Sequence, residues 1–218
     1  MVAGGLRVPA TLFCHLTMPL QNRVDPFGGL FADPARALFM GNRGGRLHDA
    51  QRKLGRRRWA SKQWICCRLD FKNRRRTVWG DSYSELFFLD EVTALAAGHR
   101  PCFECRRQDA DRFAELFARG HHRARAPAMD KVLHAERLAG KAKRLHRRNI
   151  DMLPDGTMIA IGDEALAVRG KHVLPWTPSG YAALRPRPRG TQVSVLTPPS
   201  IVALLRRGYS PLWHKSAR

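Results

Sequence analysis

Apolar and polar positions alternate most clearly across residues 64–71. Ile65, Cys67, Leu69 and Phe71 share one face, and Cys66, Arg68 and Asp70 the other. A period of two over that length predicts a half-buried strand. The polar run 73–76 reads as a turn, residues 77–79 are expected to pair back as a hairpin, and 83–89 form a further strand. The period then changes. Asp90 stands where an N-cap belongs, ahead of a short helix over 91–97 that Gly98 ends at the C′ position. Asp109 is expected to cap a second helix, with Phe113, Leu116 and Phe117 as its apolar stripe. A third helix over 130–139 follows a break at Pro127. Beyond Met152 come the turn Pro154-Asp155-Gly156 and short β-type runs at 157–161, 165–168, 172–174 and 193–196. Thr197 is expected to cap a last helix, with Pro198 at its first position, Ile201, Leu204 and Leu205 inward and Gly208 as its stop.

These elements predict an α+β chain without internal repeats. Residues 18–125 form one expected module and residues 126–218 a β-rich one with a C-terminal helix; a single α+β domain is the other arrangement. Residues 1–17 lack periodicity and read as a disordered leader or a mis-assigned start, because Met18 opens a segment resembling a natural beginning. Within 18–50, Gly, Pro, Asn and Asp dominate, and residues 41–48 (GNRGGRLH) are loop-like.

Charge sharpens the picture. The 218 residues include 39 Lys and Arg against 18 Asp and Glu, a formal net charge of +21. Such an excess repels itself in the folded state, and a polyanion relieves it. DNA or RNA is therefore the expected partner. No apolar run approaches the ~20 residues of a membrane span, so no membrane partner is expected. The five cysteines do not form an oxidised framework: Cys66 and Cys67 are adjacent, and Cys102 and Cys105 are two residues apart. That usage suits a reducing compartment, and the cytoplasm is the expected location.

A Cys-x-x-Cys knuckle aims two thiolates at one ion, and a following helix N-terminus favours their charge. Residues 87–107 (FFLDEVTALAAGHRPCFECRR) extend this signal. Phe87, Phe88, Ala94, Ala97, Gly98, Arg100, Pro101, Cys102, Cys105 and Arg106 match the second half of the Ada-type metal-binding domain, and the chain resembles that family over about 83–107. The resemblance implies a small zinc domain that contacts the DNA backbone. In the Ada protein four cysteines bind zinc, and one accepts a methyl group from a phosphotriester. The upstream Cys-x-x-x-Cys of that protein is absent, leaving Cys67, Cys66 and His48 as candidates to complete the site. Adjacent strand residues face opposite ways, so Cys66 and Cys67 do not readily share one ion. His48 precedes Asp49, which would orient its ring. His99 beside the knuckle is a further candidate.

Arg56, Arg57, Arg58, Lys62, Arg68, Arg74, Arg75 and Arg76 flank the strands that carry Trp59, Trp64 and Trp79. Arginine clamps phosphate and exposed tryptophan stacks on bases; the alternative is a solvated arginine face over a small tryptophan core. Arg106 joins the phosphate-binding candidates, and residues 141–148 (KAKRLHRR) form a second basic run. No P-loop, dinucleotide fingerprint, nucleophile elbow or HExxH motif is present. The expected function is a zinc-dependent nucleic-acid-binding protein that reads the phosphate backbone. Two alternatives remain: an enzyme on nucleic acid, either a DNA-alkyl acceptor using Cys66 or Cys67 or a metal-dependent nuclease drawing on His48, His121, His122, His134 or His146, and a structural protein of the ribosome or another RNA assembly.

Overall fold

The computed structural model describes residues 18–75, 77–118 and 123–218. The expected leader, Arg76, His121 and His122 lie outside those residues. Its first half contains strands β1 (Arg23–Val24), β2 (Leu30–Phe31), β3 (Phe39–Asn42), β4 (Ile65–Arg68) and β5 (Leu86–Phe88), helix α1 (Glu91–Ala96), strand β6 (Arg100–Pro101) and helix α2 (Arg107–Phe117). Helix α3 (Ala126–Arg137) leads into the hairpin β7 (Leu138–Ala139) and β8 (Ala142–Lys143), then β9 (His146–Asn149). Strands β10 (Met158–Ile161), β11 (Glu164–Arg169), β12 (His172–Thr177), β13 (Gly180–Tyr181), β14 (Arg185–Pro186) and β15 (Gln192–Val195) precede helix α4 (Pro199–Arg206). The chain is α+β with a C-terminal helix, as its sequence suggests.

The first sheet runs β2-β1-β5-β3-β4-β6, and the second is built on β13-β12-β11-β10-β15-β9, with β14 beside β12. In the first, β3 meets β4 and β5 so closely that a Cβ on Gly41 would lie 2.0 Å from the Ile65 carbonyl oxygen. Only glycine fits there. Helix α1 and its C-cap cover one face of this sheet through Ala94 and Ala97, against Val24, Phe39, Cys66, Leu86 and Phe88. Its other side enters a cluster with Met158 and Leu174 of the second sheet and Leu196 just after β15. Phe113 of α2 packs with Met129 of α3, Ile201 of α4 and Tyr209. No helix among the described residues is long and apolar enough to cross a membrane.

Local chemistry fixes α1 as expected. The Asp90 carboxylate accepts from the Thr93 N–H at 2.8 Å. At the other end Gly98 (φ +90°) closes a Schellman motif, with Gly98 N–H on Leu95 O and His99 N–H on Ala94 O. Other expectations need correction. Residues 77–79 are a turn, not a strand, because Trp79 takes φ +56° and its indole N–H donates to the Glu85 carbonyl. Asp109 lies inside α2, where its carboxylate accepts from Arg106 rather than capping the helix. Pro127 starts α3 rather than breaking the chain before it, since proline at the first turn forfeits no helical bond. Thr197 accepts from the Met158 N–H and ties α4 to the second sheet instead of capping it. The run 141–148 is a hairpin arm and an edge strand.

Candidate metal centre

Cys67 lies on β4, and the parallel pairing of β4 with β6 decides what faces it. Ile65 is opposite Arg100 and Cys66 opposite Pro101, so the next residues, Cys67 and Cys102, fall side by side. The Cys102 N–H donates to the Cys66 carbonyl at 2.9 Å and locks that register. The tight turn after Cys102, closed by Arg106 N–H on Cys102 O at 3.0 Å, returns Cys105 to the same place. The sulfur atoms of Cys67, Cys102 and Cys105 lie within 4.8 Å of one another. All three are at most 9% exposed.

The donor set fits a soft cation. Backbone N–H groups already point at the sulfurs, from Glu104 to Cys102 and from Arg68 to Cys105, each at 3.4 Å. Hydrogen bonds from the Cys105 and Cys67 thiols, helped by the Glu104 N–H, push the Cys102 thiol far below its usual range, against the effect of burial. Cys67 is pushed up, because its proton is shared with two sulfurs that become anionic first. A cation bound among the three sulfurs would displace their protons, since thiolate is the ligating form.

Above the sulfurs opens a cavity of about 280 Å³, lined by Met40, Asn42, Ile65, Phe71, Tyr83, Glu85 and Phe87 and edged by Arg68 and Arg74. One buried carboxylate oxygen of Glu85 has no hydrogen-bond partner among the described residues, while the other accepts from the Trp79 N–H at 2.9 Å. Sequence reasoning missed Asn42, Tyr83 and Glu85. The alternation of 83–89 held the signal: Tyr83, Glu85 and Phe87 line the cavity, whereas Ser84, Leu86 and Phe88 are fully buried.

The other four candidates, Cys66, His48, Arg106 and His99, lie elsewhere. Cys66 is fully buried on the opposite face of β4, among Val24, Phe39 and Leu86, and burial pushes its thiol up. His48 is buried against Trp79, its ring stacked at 5.1 Å, with Nδ1 bonded to Ser84 Oγ and Nε2 to the Gly80 carbonyl. Neither nitrogen is left for a metal. Arg106 is 2% exposed and paired with Glu91 at 2.8 Å, so it cannot meet a phosphate backbone. His99 is wholly buried between Trp64 and Phe88, away from the sulfurs.

Arg56, Arg57, Arg58, Lys62, Arg74 and Arg75 are exposed. Arg74 pairs with Glu104 at 2.6 Å; among the described residues the other five form no ion pair. Trp64 and Trp79 are core residues, and Trp59 alone of that trio is partly open. Glu85, Asp90, Glu91 and Asp130 are buried, and so are Arg43, Arg100, Arg106 and Arg137. Burial therefore removes equal numbers of each sign and leaves the basic excess at the surface. No family model, curated protein or solved structure matches this chain.

Proposed function

We propose that Cys67, Cys102 and Cys105 hold a zinc ion and that the chain binds DNA or RNA by its phosphate backbone. The observation that carries this reading is the convergence of three thiols from β4 and the knuckle beneath an arginine-edged cavity. Zinc suits such a set because thiolate ligands and tetrahedral geometry are its preference. A Phe-containing strand, a capped Ala-rich helix, a C′ glycine and then the knuckle support the likeness to the Ada-type domain. Arg56, Arg57, Arg58, Lys62, Arg74 and Arg75 supply the phosphate contacts.

The cavity favours one second reading, a zinc-assisted alkyl acceptor on nucleic acid. Three protein ligands leave a fourth position, and a site with an open position does chemistry where a closed one only holds structure. Cys67 is the acceptor in this reading, because Cys66 has no route to solvent. Its sulfur forms the new S–C bond as the alkyl C–O bond of a phosphotriester breaks, and a phosphodiester leaves.

Replacing Arg56, Arg57 and Arg58 by Ala tests the interface. Affinity for unrelated sequences is expected to fall alike, and the slope of log affinity against log salt to shrink by about 2–3. Unchanged affinity and slope would reduce these arginines to a solvated face. Mass spectrometry after incubation with alkylated DNA separates the two readings: an adduct on Cys67 marks the acceptor, and unmodified thiols mark the binder.

A further inference from the structure

On the Cys66 side of the first sheet lies a second cavity, of about 320 Å³, unrelated to the thiol cluster. Arg43, Arg58, Trp59, Arg137, Lys141 and Lys143 line it, with Trp64 as its floor. The guanidinium carbons of Arg43 and Arg137 lie 3.9 and 3.8 Å from the Trp64 ring centre. Both arginines are 1% exposed.

Their bonding is unusual for buried cations. Arg43 donates to the carbonyls of Gly28 (2.9 Å) and Arg58 (3.2 Å) and to His99 Nε2 (3.3 Å). Arg137 donates to the carbonyls of Gly98 (2.9 Å) and Lys62 (2.8 Å) and meets His134 Nδ1 at 2.9 Å. Lys143 donates to the Ala96 carbonyl. Among the described residues none of the three has an ion pair with a carboxylate. Arg137 Nε and His99 Nδ1 are buried with no hydrogen-bond partner among the described residues.

Capping the C-terminal end of α1 does not account for this. Helix α1 has six residues, and a helix end offers about half a negative charge against three cations. Among the described residues the field of Asp25 reaches Arg43 and Lys143, and that of Asp130, already paired with Arg100, reaches Arg137. Burial first, then neighbouring cations (Arg58 on Arg43, Arg43 and Arg100 on Arg137, Arg43 and Arg137 on Lys143), lowers Arg43 and Arg137 to about 9 and Lys143 to about 7, with Asp25 and Asp130 only partly opposing. A buried charge without a partner is costly, and a site built from such charges returns that cost when an anion enters.

We infer that this cavity binds a phosphate monoester, either on a free nucleotide or at the end of a nucleic-acid strand. A monoester carries close to two negative charges at neutral pH, which suits a cavity lined by Arg43, Arg58, Arg137, Lys141 and Lys143, with Asp25 near it and Asp130 held by Arg100, better than the single charge of an internal phosphodiester. Arginine forks match phosphate oxygens in pairs. The cavity exceeds what phosphate alone needs and sits at the lower end of small-ligand pockets, ~300–1,000 Å³. Trp59 at its mouth offers a ring for the attached base. The inference stands whether or not the exposed arginines bind a backbone.

Calorimetric titration of the full-length, metal-loaded protein tests it. The probes are inorganic phosphate, adenosine monophosphate, adenosine, and one oligonucleotide with either a terminal phosphate or a terminal hydroxyl. Adenosine monophosphate is expected to bind more than about tenfold tighter than adenosine, the effect of one or more charge-assisted hydrogen bonds. Lys143→Met is expected to lose about tenfold on the phosphorylated probe with metal content unchanged. Lys141→Glu, at an exposed lining position where folding is not at stake, is expected to lose a similar factor. A preference for the phosphorylated oligonucleotide identifies a strand end as ligand; a preference seen only with the mononucleotide identifies a free nucleotide. Equal binding of phosphorylated and unphosphorylated probes, no binding of any phosphorylated probe at millimolar concentration, or full affinity in both variants would overturn the assignment.

Discussion

Cys66 and Cys67 are neighbours on one strand, yet the chain uses them for opposite purposes. Cys67 points into an arginine-edged cavity with two other sulfurs. Cys66 points into an apolar core under α1, where its sulfur accepts from Arg106 Nη1 at 3.6 Å. Strand alternation makes the difference, and burial sets the chemistry on each side. On the Cys67 face, N–H groups and thiols stabilise negative sulfur. On the Cys66 face, desolvation keeps the thiol protonated even though Arg106 is near. Cysteine identity is thus no guide to ligation; the face is.

Single substitutions at the two positions test that contrast with the largest effect. Cys67→Ser is expected to lower metal affinity more than about a hundredfold and to cost several kcal/mol, since a structural zinc site contributes ~10–16 kcal/mol to folding. Cys66→Ala is expected to keep full metal content and to cost about 1 kcal/mol, the loss of one small buried side chain. Metal analysis and thermal melting of the two variants decide the matter. Equal metal loss would remove the distinction between the faces.

A second contrast lies among the buried arginines. Arg100 is held by Asp130 through two bonds of 2.8 and 2.9 Å, and Arg106 by Glu91. Glu91 also accepts from Tyr209 Oη at 2.6 Å and from the Leu212 N–H at 3.0 Å, so one carboxylate joins α1, the knuckle and the C-terminal segment. Arg43 and Arg137 have carbonyls and histidines instead. Glu91→Gln is expected to cost about 3 kcal/mol, the low end for a broken buried pair, because Asp109 still reaches Arg106 at 2.9 Å. Urea unfolding measures it, and a loss no larger than a surface substitution would show that the pair is not holding these elements together.

How far the sequence revealed these features depended on how local each signal is. Helix α1 was legible because its cap, its C′ glycine and its small-residue face lie within ten residues. The knuckle was legible for the same reason. The third ligand was half legible: alternation separated Cys66 from Cys67, but Ile65, Cys67, Leu69 and Phe71 look like a core-facing set and in fact line an open cavity, with Leu69 44% exposed. Trp64, one residue outside that set, belongs to the buried side. His48, Arg106 and the cavity of Arg43, Arg137 and Lys143 were not legible, since each depends on partners well outside its own element, such as Gly80 and Ser84 for His48, Glu91 for Arg106 and Trp64 for the two arginines. A buried arginine and a phosphate-clamping one are spelled alike.

The smallest predicted effect is a pH dependence carried by Lys143. Its ordinary value is 10.5, and in the folded protein burial first, then Arg43 and Arg137, lower it to about 7, with Asp25 opposing. Arg58 and Lys141 line the same cavity, and His134 lies beside Arg137. Between pH 7 and 10.5 the unfolded chain therefore holds a proton at Lys143 that the folded chain has released, so the unfolding free energy contributed by this group rises with pH. Below pH 7 both states are protonated and the full burial penalty persists as a constant. Because Lys143 is only partly removed from solvent by area, the gain is discounted to about 1 kcal/mol between pH 7 and about 8.5. The measurement is the difference between the natural protein and Lys143→Met at matched pH, which cancels every other titrating group that the substitution leaves undisturbed. The difference is expected to shift in favour of the natural protein as pH rises, and to flatten when adenosine monophosphate is present, because a bound dianion restores the lysine to its charged form. Parallel pH profiles for the two proteins without the nucleotide would mean that Lys143 stays charged in the folded state, and that the cavity has already found its counter-charge.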